Sequence, residues 1–167
     1  MVHDFETREN SAELTLHAAH AYIWSRTKES AWRLCWDIFT EDEHEDLLRW
    51  IDSLDPDLSL DALRACLLVF SVTDTRIIPR QFQLEAGLAA YWEKNTIVNA
   101  GTGSGKTLSM AIPLLMDPRA IAIIISPLKR LQATQAEELR RCLIKPLVIN
   151  QDAELSRLEI EVFHIEL

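Results

Sequence analysis

The sequence predicts an α/β fold with a parallel sheet, preceded by a small all-α extension. Three observations carry that expectation. Residues 1–75 place apolar side chains at three- and four-residue steps and hold four of the five Trp residues. From residue 76 onward, short β-branched apolar runs alternate with helical patterns, the rhythm of right-handed βαβ units. Between the first such run and the helix after it lies a glycine-rich stretch, Ala100 to Thr107. The expected division is therefore a helical, Trp-rich, acidic part at 1–75 and an α/β part at 76–167.

The elements follow in order. Leu16, Ala19 and Ile23 form an apolar helix stripe, as do Trp32, Cys35, Trp36 and Phe39. Thr40 is suited to cap the next helix, which carries Leu47, Trp50, Ile51 and Leu54, and Asp55-Pro56-Asp57 breaks it. Ser59 is then expected to cap a helix with Leu60, Leu63, Leu67 and Phe70. The Trp spacing points to core packing. Beyond the boundary, a helix is expected from near Pro79 to Trp92 and a strand at Thr96–Ala100. A helix at Lys106–Leu115 and a strand at Ala120–Ser126 follow, the latter apolar enough to be buried on both faces. A helix at Leu128–Cys142 and a strand at Pro146–Ile149 come next, then a helical stretch at 152–157 and a further strand at Ile160–Ile165.

Composition narrows the class. With 167 residues, 48% of them hydrophobic, the chain can fill a core. No basic stretch leads into an apolar run and a cleavage site, and Ala120 to Ile125 is too short to cross a bilayer, so a soluble protein is expected. Cys35, Cys66 and Cys142 are scattered and lack a CxxC pair, which favours buried thiols over disulfides or zinc. His17 and His20 share a helix face, but no third ligand is spaced to join them. The net charge of −9 is uneven: residues 1–76 hold 16 acids and 7 bases, whereas residues 77–167 hold 10 of each. A surface for a polyanion therefore belongs in the second half, and the acidic first half is suited to a protein partner.

Ala100-Gly101-Thr102-Gly103-Ser104-Gly105-Lys106-Thr107 follows an apolar run and opens a helix, the context a phosphate-binding loop requires. Three of the chain's four glycines lie in it, so the concentration is not a by-product of a glycine-rich composition. Glycines let successive N–H groups turn toward phosphate oxygens at a helix N-terminus. Lys106 is placed to reach the β- and γ-phosphates of a nucleotide, and Thr107 offers a hydroxyl to Mg²⁺. Lys106 and Thr107 are the candidate catalytic residues, and Gly101, Thr102, Gly103, Ser104 and Gly105 complete the cofactor-binding set.

The flanks carry a resemblance. Upstream is Ile78-Pro79-Arg80-Gln81-Phe82-Gln83-Leu84-Glu85-Ala86; downstream is Ser126-Pro127-Leu128-Lys129-Arg130-Leu131, with Gln135 one turn on. With the loop, these resemble the first RecA-like domain of DEAD/DEAH-type helicases, and among those the RecQ-like DNA helicases, over roughly residues 77–150. The resemblance implies a partial RecA-like domain with ATP and Mg²⁺ as cofactors and nucleic acid, DNA before RNA, as partner. It also implies an intracellular location, nuclear or cytoplasmic, with the nucleus favoured for a DNA substrate. Arg80 and Gln83 match the family's adenine-reading segment; a Gln amide both donates and accepts, and a guanidinium stacks on a base. Ser126, Pro127, Lys129 and Arg130 match the segment that touches the nucleic-acid backbone.

One family feature is missing. No Asp-Glu pair follows Lys106 to hold Mg²⁺ and orient water. Asp42-Glu43-His44 has the right letters but precedes the loop in a run of acids, where a solvated helix face is expected. Sixty residues follow Thr107, too few for a second RecA-like domain with its arginine finger. The expectation is a fragment that binds ATP weakly and hydrolyses it negligibly, since groups acting only in the transition state are what it lacks. Two alternatives stand beside the DNA helicase reading: a non-catalytic nucleotide-binding or interaction module, and an RNA helicase fragment.

Overall fold

The computed structural model of the chain describes residues 15–39, 44–73 and 76–150. Seven helical segments make up its regular structure: α1 at 15–24, α2 at Lys28–Ile38, α3 at Glu45–Ser53, α4 at Pro56–Val72, α5 at Gln81–Tyr91, α6 at Lys106–Met116 and α7 at Lys129–Arg141.

Local chemistry explains the starts of α2 and α4. The Thr27 hydroxyl accepts a hydrogen bond from Ser30 N at 3.3 Å and opens α2. Asp55 caps α4 through Asp57 N at 3.2 Å, with Pro56 at the first helical position, where its missing N–H costs nothing. Asp55-Pro56-Asp57, expected as a break, is therefore also a start. That corrects the expected role of Ser59, which lies inside α4, fully buried, with no hydrogen-bond partner for its hydroxyl. Thr40, the expected cap of α3, lies outside the described residues.

One continuous core runs from Leu16 to Cys142. α4 is its centre, burying Ala62, Leu63, Ala65, Cys66, Leu67, Leu68 and Val69 among neighbours from α2, α3, α5 and α6. Each large aliphatic buried this way contributes roughly 1.5–3 kcal/mol relative to exposure. α5 and α6 lie closest together. A Cβ at Gly87 would stand 2.6 Å from Ile112 Cβ, so only glycine permits the approach. Polar contacts also cross the core: His20 Nε2 lies 2.9 Å from the Met116 carbonyl oxygen, and Trp92 Nε1 donates to Asp61 at 3.1 Å. His20 stacks on Trp24, with ring centroids 3.8 Å apart. Trp24, Trp32 and Trp50 are half-buried against the core, whereas Trp36 is 59% exposed, outside the packing role its spacing predicted.

The expected parallel sheet is corrected. Among the described residues there is no strand, and the fold is helical rather than α/β with a RecA-like sheet. Thr96–Ala100, Ala120–Ser126 and Pro146–Ile149 all fall in non-helical chain without ladder pairing. The isoleucines of the first two face solvent: Ile97 is 97% exposed, Ile123 88% and Ile125 92%. The reason is physical. β-branched composition favours extended backbone, but a strand exists only when a neighbour takes its N–H and C=O groups. The expected helix at 152–157 and strand at Ile160–Ile165 lie outside the described residues.

Candidate functional site

The glycine-rich loop joins non-helical residues 95–100 to α6. Gly103 and Gly105 adopt φ of 76° and 80°, a region side chains rarely enter, and Gly105 caps α6 in the left-handed conformation. Gly101 is different: its φ is not positive and a Cβ there would meet nothing within 4 Å. Two of the three loop glycines are thus demanded by the backbone itself.

Gln83 ties this loop to α5. Its Nε2 donates to the carbonyl oxygens of Gly105 at 2.9 Å and Ser104 at 3.2 Å, and its Oε1 accepts from Arg80 N at 2.8 Å. The residue expected to read adenine is buried and holds the loop in place with both amide hydrogens, leaving acceptor capacity on Oε1. Arg80, at the N-cap of α5, is exposed. Lys106 folds back, its Nζ donating to the carbonyl oxygens of Ala100 and Gly101, each at 2.7 Å. An ammonium carries three donors, so one remains for a phosphate.

A cavity of about 640 Å³ opens beside the loop. Arg80, Gln83, Gly103, Ser104, Gly105 and Thr107 line it together, with Thr73, Ile77 and Ile78 from the segment between α4 and α5. Gly101, Thr102 and Lys106 belong to the loop but not to the cavity wall. Sequence reasoning missed the third wall: Glu138, Leu139, Arg141 and Cys142 at the end of α7, brought here by packing and marked by no motif. Burial, and then the nearby Glu138 carboxylate, push the Cys142 thiol above its ordinary range, so it faces the cavity uncharged. The volume suits a nucleotide. The residues fit a triphosphate as well: the N-terminus of α6, two arginines, and a buried Ser104 hydroxyl without a hydrogen-bond partner. Thr107, on the same wall, carries a hydroxyl, a hard oxygen of the kind that Mg²⁺ prefers.

Ser126, Pro127, Lys129 and Arg130 lie elsewhere, at the start of α7, and none lines the cavity. The Ser126 carbonyl accepts from Gln132 Nε2 at 2.8 Å, and Gln132 Oε1 accepts from Asn150 at 3.2 Å, which fixes the turn against two non-helical segments. The Ser126 hydroxyl is buried without a hydrogen-bond partner; Pro127, Lys129 and Arg130 are exposed. Lys129 and Arg141 stand at opposite ends of α7, about 18 Å apart at 1.5 Å per residue.

Residues 80–161 match the family model described as DEAD/DEAH box helicase, a span that begins at Arg80 and takes in the loop, Ser126 to Arg130 and α7. The match supports a helicase-type relationship, a class that binds ATP and nucleic acid, for this part of the chain. No curated protein and no solved structure matches the chain. No helix among the described residues is long and apolar enough to cross a membrane.

Proposed function

We propose that this chain binds ATP with Mg²⁺ in the cavity between α5, the glycine loop and α7, and binds nucleic acid, DNA before RNA, along Ser126 to Arg130. The reading is that of a RecQ-like helicase part, placed in the nucleus if DNA is its substrate. The observation that carries it is the convergence of Arg80, Gln83, Gly103, Ser104, Gly105 and Thr107 on one cavity at the N-terminus of α6. In this reading Arg80 and the free Oε1 face of Gln83 meet the base, the loop N–H groups and Lys106 hold phosphates, and Thr107 meets Mg²⁺. The activity proposed for this cavity is binding, carried by the loop with Arg80 and Gln83 on the same wall.

Titration of the purified chain with a fluorescent ATP analogue tests the first half. Lys106→Ala should weaken binding by about tenfold or more, the scale of one charge-assisted contact; unchanged affinity overturns the phosphate assignment. For the second half, a single-stranded DNA oligonucleotide and its RNA counterpart are compared by anisotropy. Replacing Lys129 and Arg130 with Ala should weaken DNA binding and flatten its salt dependence. Tighter binding of RNA overturns the DNA preference.

A further inference from the structure

We infer that Arg141, in the last turn of α7, supplies a phosphate-binding cation to the nucleotide cavity, opposed by Glu138 one turn earlier. The inference rests on the proposed nucleotide site and adds a residue that no sequence motif marks.

α7 buries Ala136 and Leu139 against the core, and its capping residue Cys142 is buried too. Residues 138 and 141 are three apart, so they share a face of the helix. Both line the cavity, together with Gly103 to Gly105 of the loop. Arg141 is available for a ligand. Its side chain is 71% exposed, and its Nε stands 3.9 Å from the Glu137 carboxylate, itself 59% exposed. An exposed pair of this kind holds a side chain weakly. Its planar guanidinium can grip two phosphate oxygens at once.

The loop's own cation makes such a contribution useful. Lys106 spends two donors on the carbonyl oxygens of Ala100 and Gly101, and it is not part of the cavity wall. The charged side chains on the wall are Arg80, Arg141 and Glu138. A triphosphate entering there meets two cations and one carboxylate, and Glu138 weakens the field that Arg141 creates. The plainer role for Arg141 is to complement the negative end of the α7 dipole. That role affects helix stability and leaves ligand affinity unchanged.

The test uses the full chain and reads ATP and AMP affinities by displacement of a fluorescent nucleotide, for Arg141→Ala, Arg141→Lys, Glu138→Gln and Lys106→Ala. Arg141→Ala should weaken ATP about five- to tenfold with little effect on AMP, and Arg141→Lys should fall between it and the parent. Glu138→Gln should tighten ATP about two- to threefold, a gain that structural damage does not mimic. If Arg141→Ala stays within about twofold of the parent while Lys106→Ala loses affinity, the site stands and the role of Arg141 is overturned. Equal losses for ATP and AMP also overturn it. If Lys106→Ala and Arg141→Ala both leave ATP affinity unchanged, the nucleotide site itself falls and the inference with it.

Discussion

The side-chain amide of Gln83 reaches across 22 positions of sequence to the carbonyl oxygen of Gly105, 2.9 Å away. The contact joins the first turn of α5 to the residue that caps α6. A second bond from the same nitrogen to Ser104, and a third from Arg80 N to Gln83 Oε1, make one buried amide the brace of the whole loop. In this structure the position matching the adenine-reading segment has a mechanical role.

Gln83→Ala should therefore lower stability as well as nucleotide affinity. It takes the Gln83 partner from the Ser104 carbonyl and the Arg80 N–H, while the Gly105 carbonyl keeps its bond from Leu108 N at 3.1 Å, a loss of about 1–3 kcal/mol. Gln83→Glu should be worse than alanine, because it turns a carboxylate toward the carbonyl oxygens of Ser104 and Gly105. Urea denaturation of the three chains checks both statements. A Gln83→Glu chain as stable as the parent would show that the brace carries no weight.

The loop glycines should rank by backbone demand. Gly105→Ala combines a φ of 80° with a Cβ 2.6 Å from Gln83 Nε2, so it strains the backbone and breaks the brace. Gly103→Ala meets open space but still pays about 1–2 kcal/mol for its left-handed conformation. Gly101→Ala has neither problem and should melt within a degree or two of the parent, about the effect of a small surface change. Thermal melts in the order Gly101, Gly103, Gly105 from least to most damaging are expected; a reversed order would refute the geometry.

How much of this was legible in sequence depends on the range of the interaction. Helices are legible because their signals are local: the Leu47, Ile51 stripe and the break at Asp55-Pro56-Asp57 lie within a turn or two of what they specify. The loop was legible for the same reason, since Gly103 and Gly105 answer a demand of their own torsions. The strands were not. Ala120 to Ile125 states a preference for extended backbone but cannot state a partner, and no strand forms there. Arg141 and Glu138 were invisible because only the packing of α7 against the core brings them to residues more than thirty positions earlier. Ser59 misled for a different reason: it has cap chemistry, but Asp55 with Pro56 behind it starts the helix first.

Ser59→Ala follows directly. A hydroxyl that is fully buried and unpartnered has given up water for nothing, so removing it should be neutral or stabilise by up to about 1 kcal/mol. Most buried substitutions destabilise, which makes the sign informative. A loss of more than about 1 kcal/mol in urea would mean that the hydroxyl has a partner, such as a bound water.

The three cysteines give a prediction in pH. Burial pushes the Cys35 thiol up to about 12, and burial with a lesser contribution from Cys35 pushes Cys66 well above the ordinary thiol range; Cys142 is also raised. Each folded thiol therefore holds its proton where the unfolded chain, titrating near 8.5, has begun to release it. The stabilisation is fully present below that unfolded value and is lost as pH rises toward the folded one, so stability should decline from about pH 9 upward. At pH 8 a disulfide reagent should label the native chain slowly, since the thiolate is the reacting form, and should count three thiols once urea unfolds it. Replacing Cys35 with Ala removes one titrating group and should flatten the alkaline decline while costing some packing at neutral pH. Rapid labelling of all three thiols in the native chain at pH 8 would contradict the burial on which the pH dependence rests.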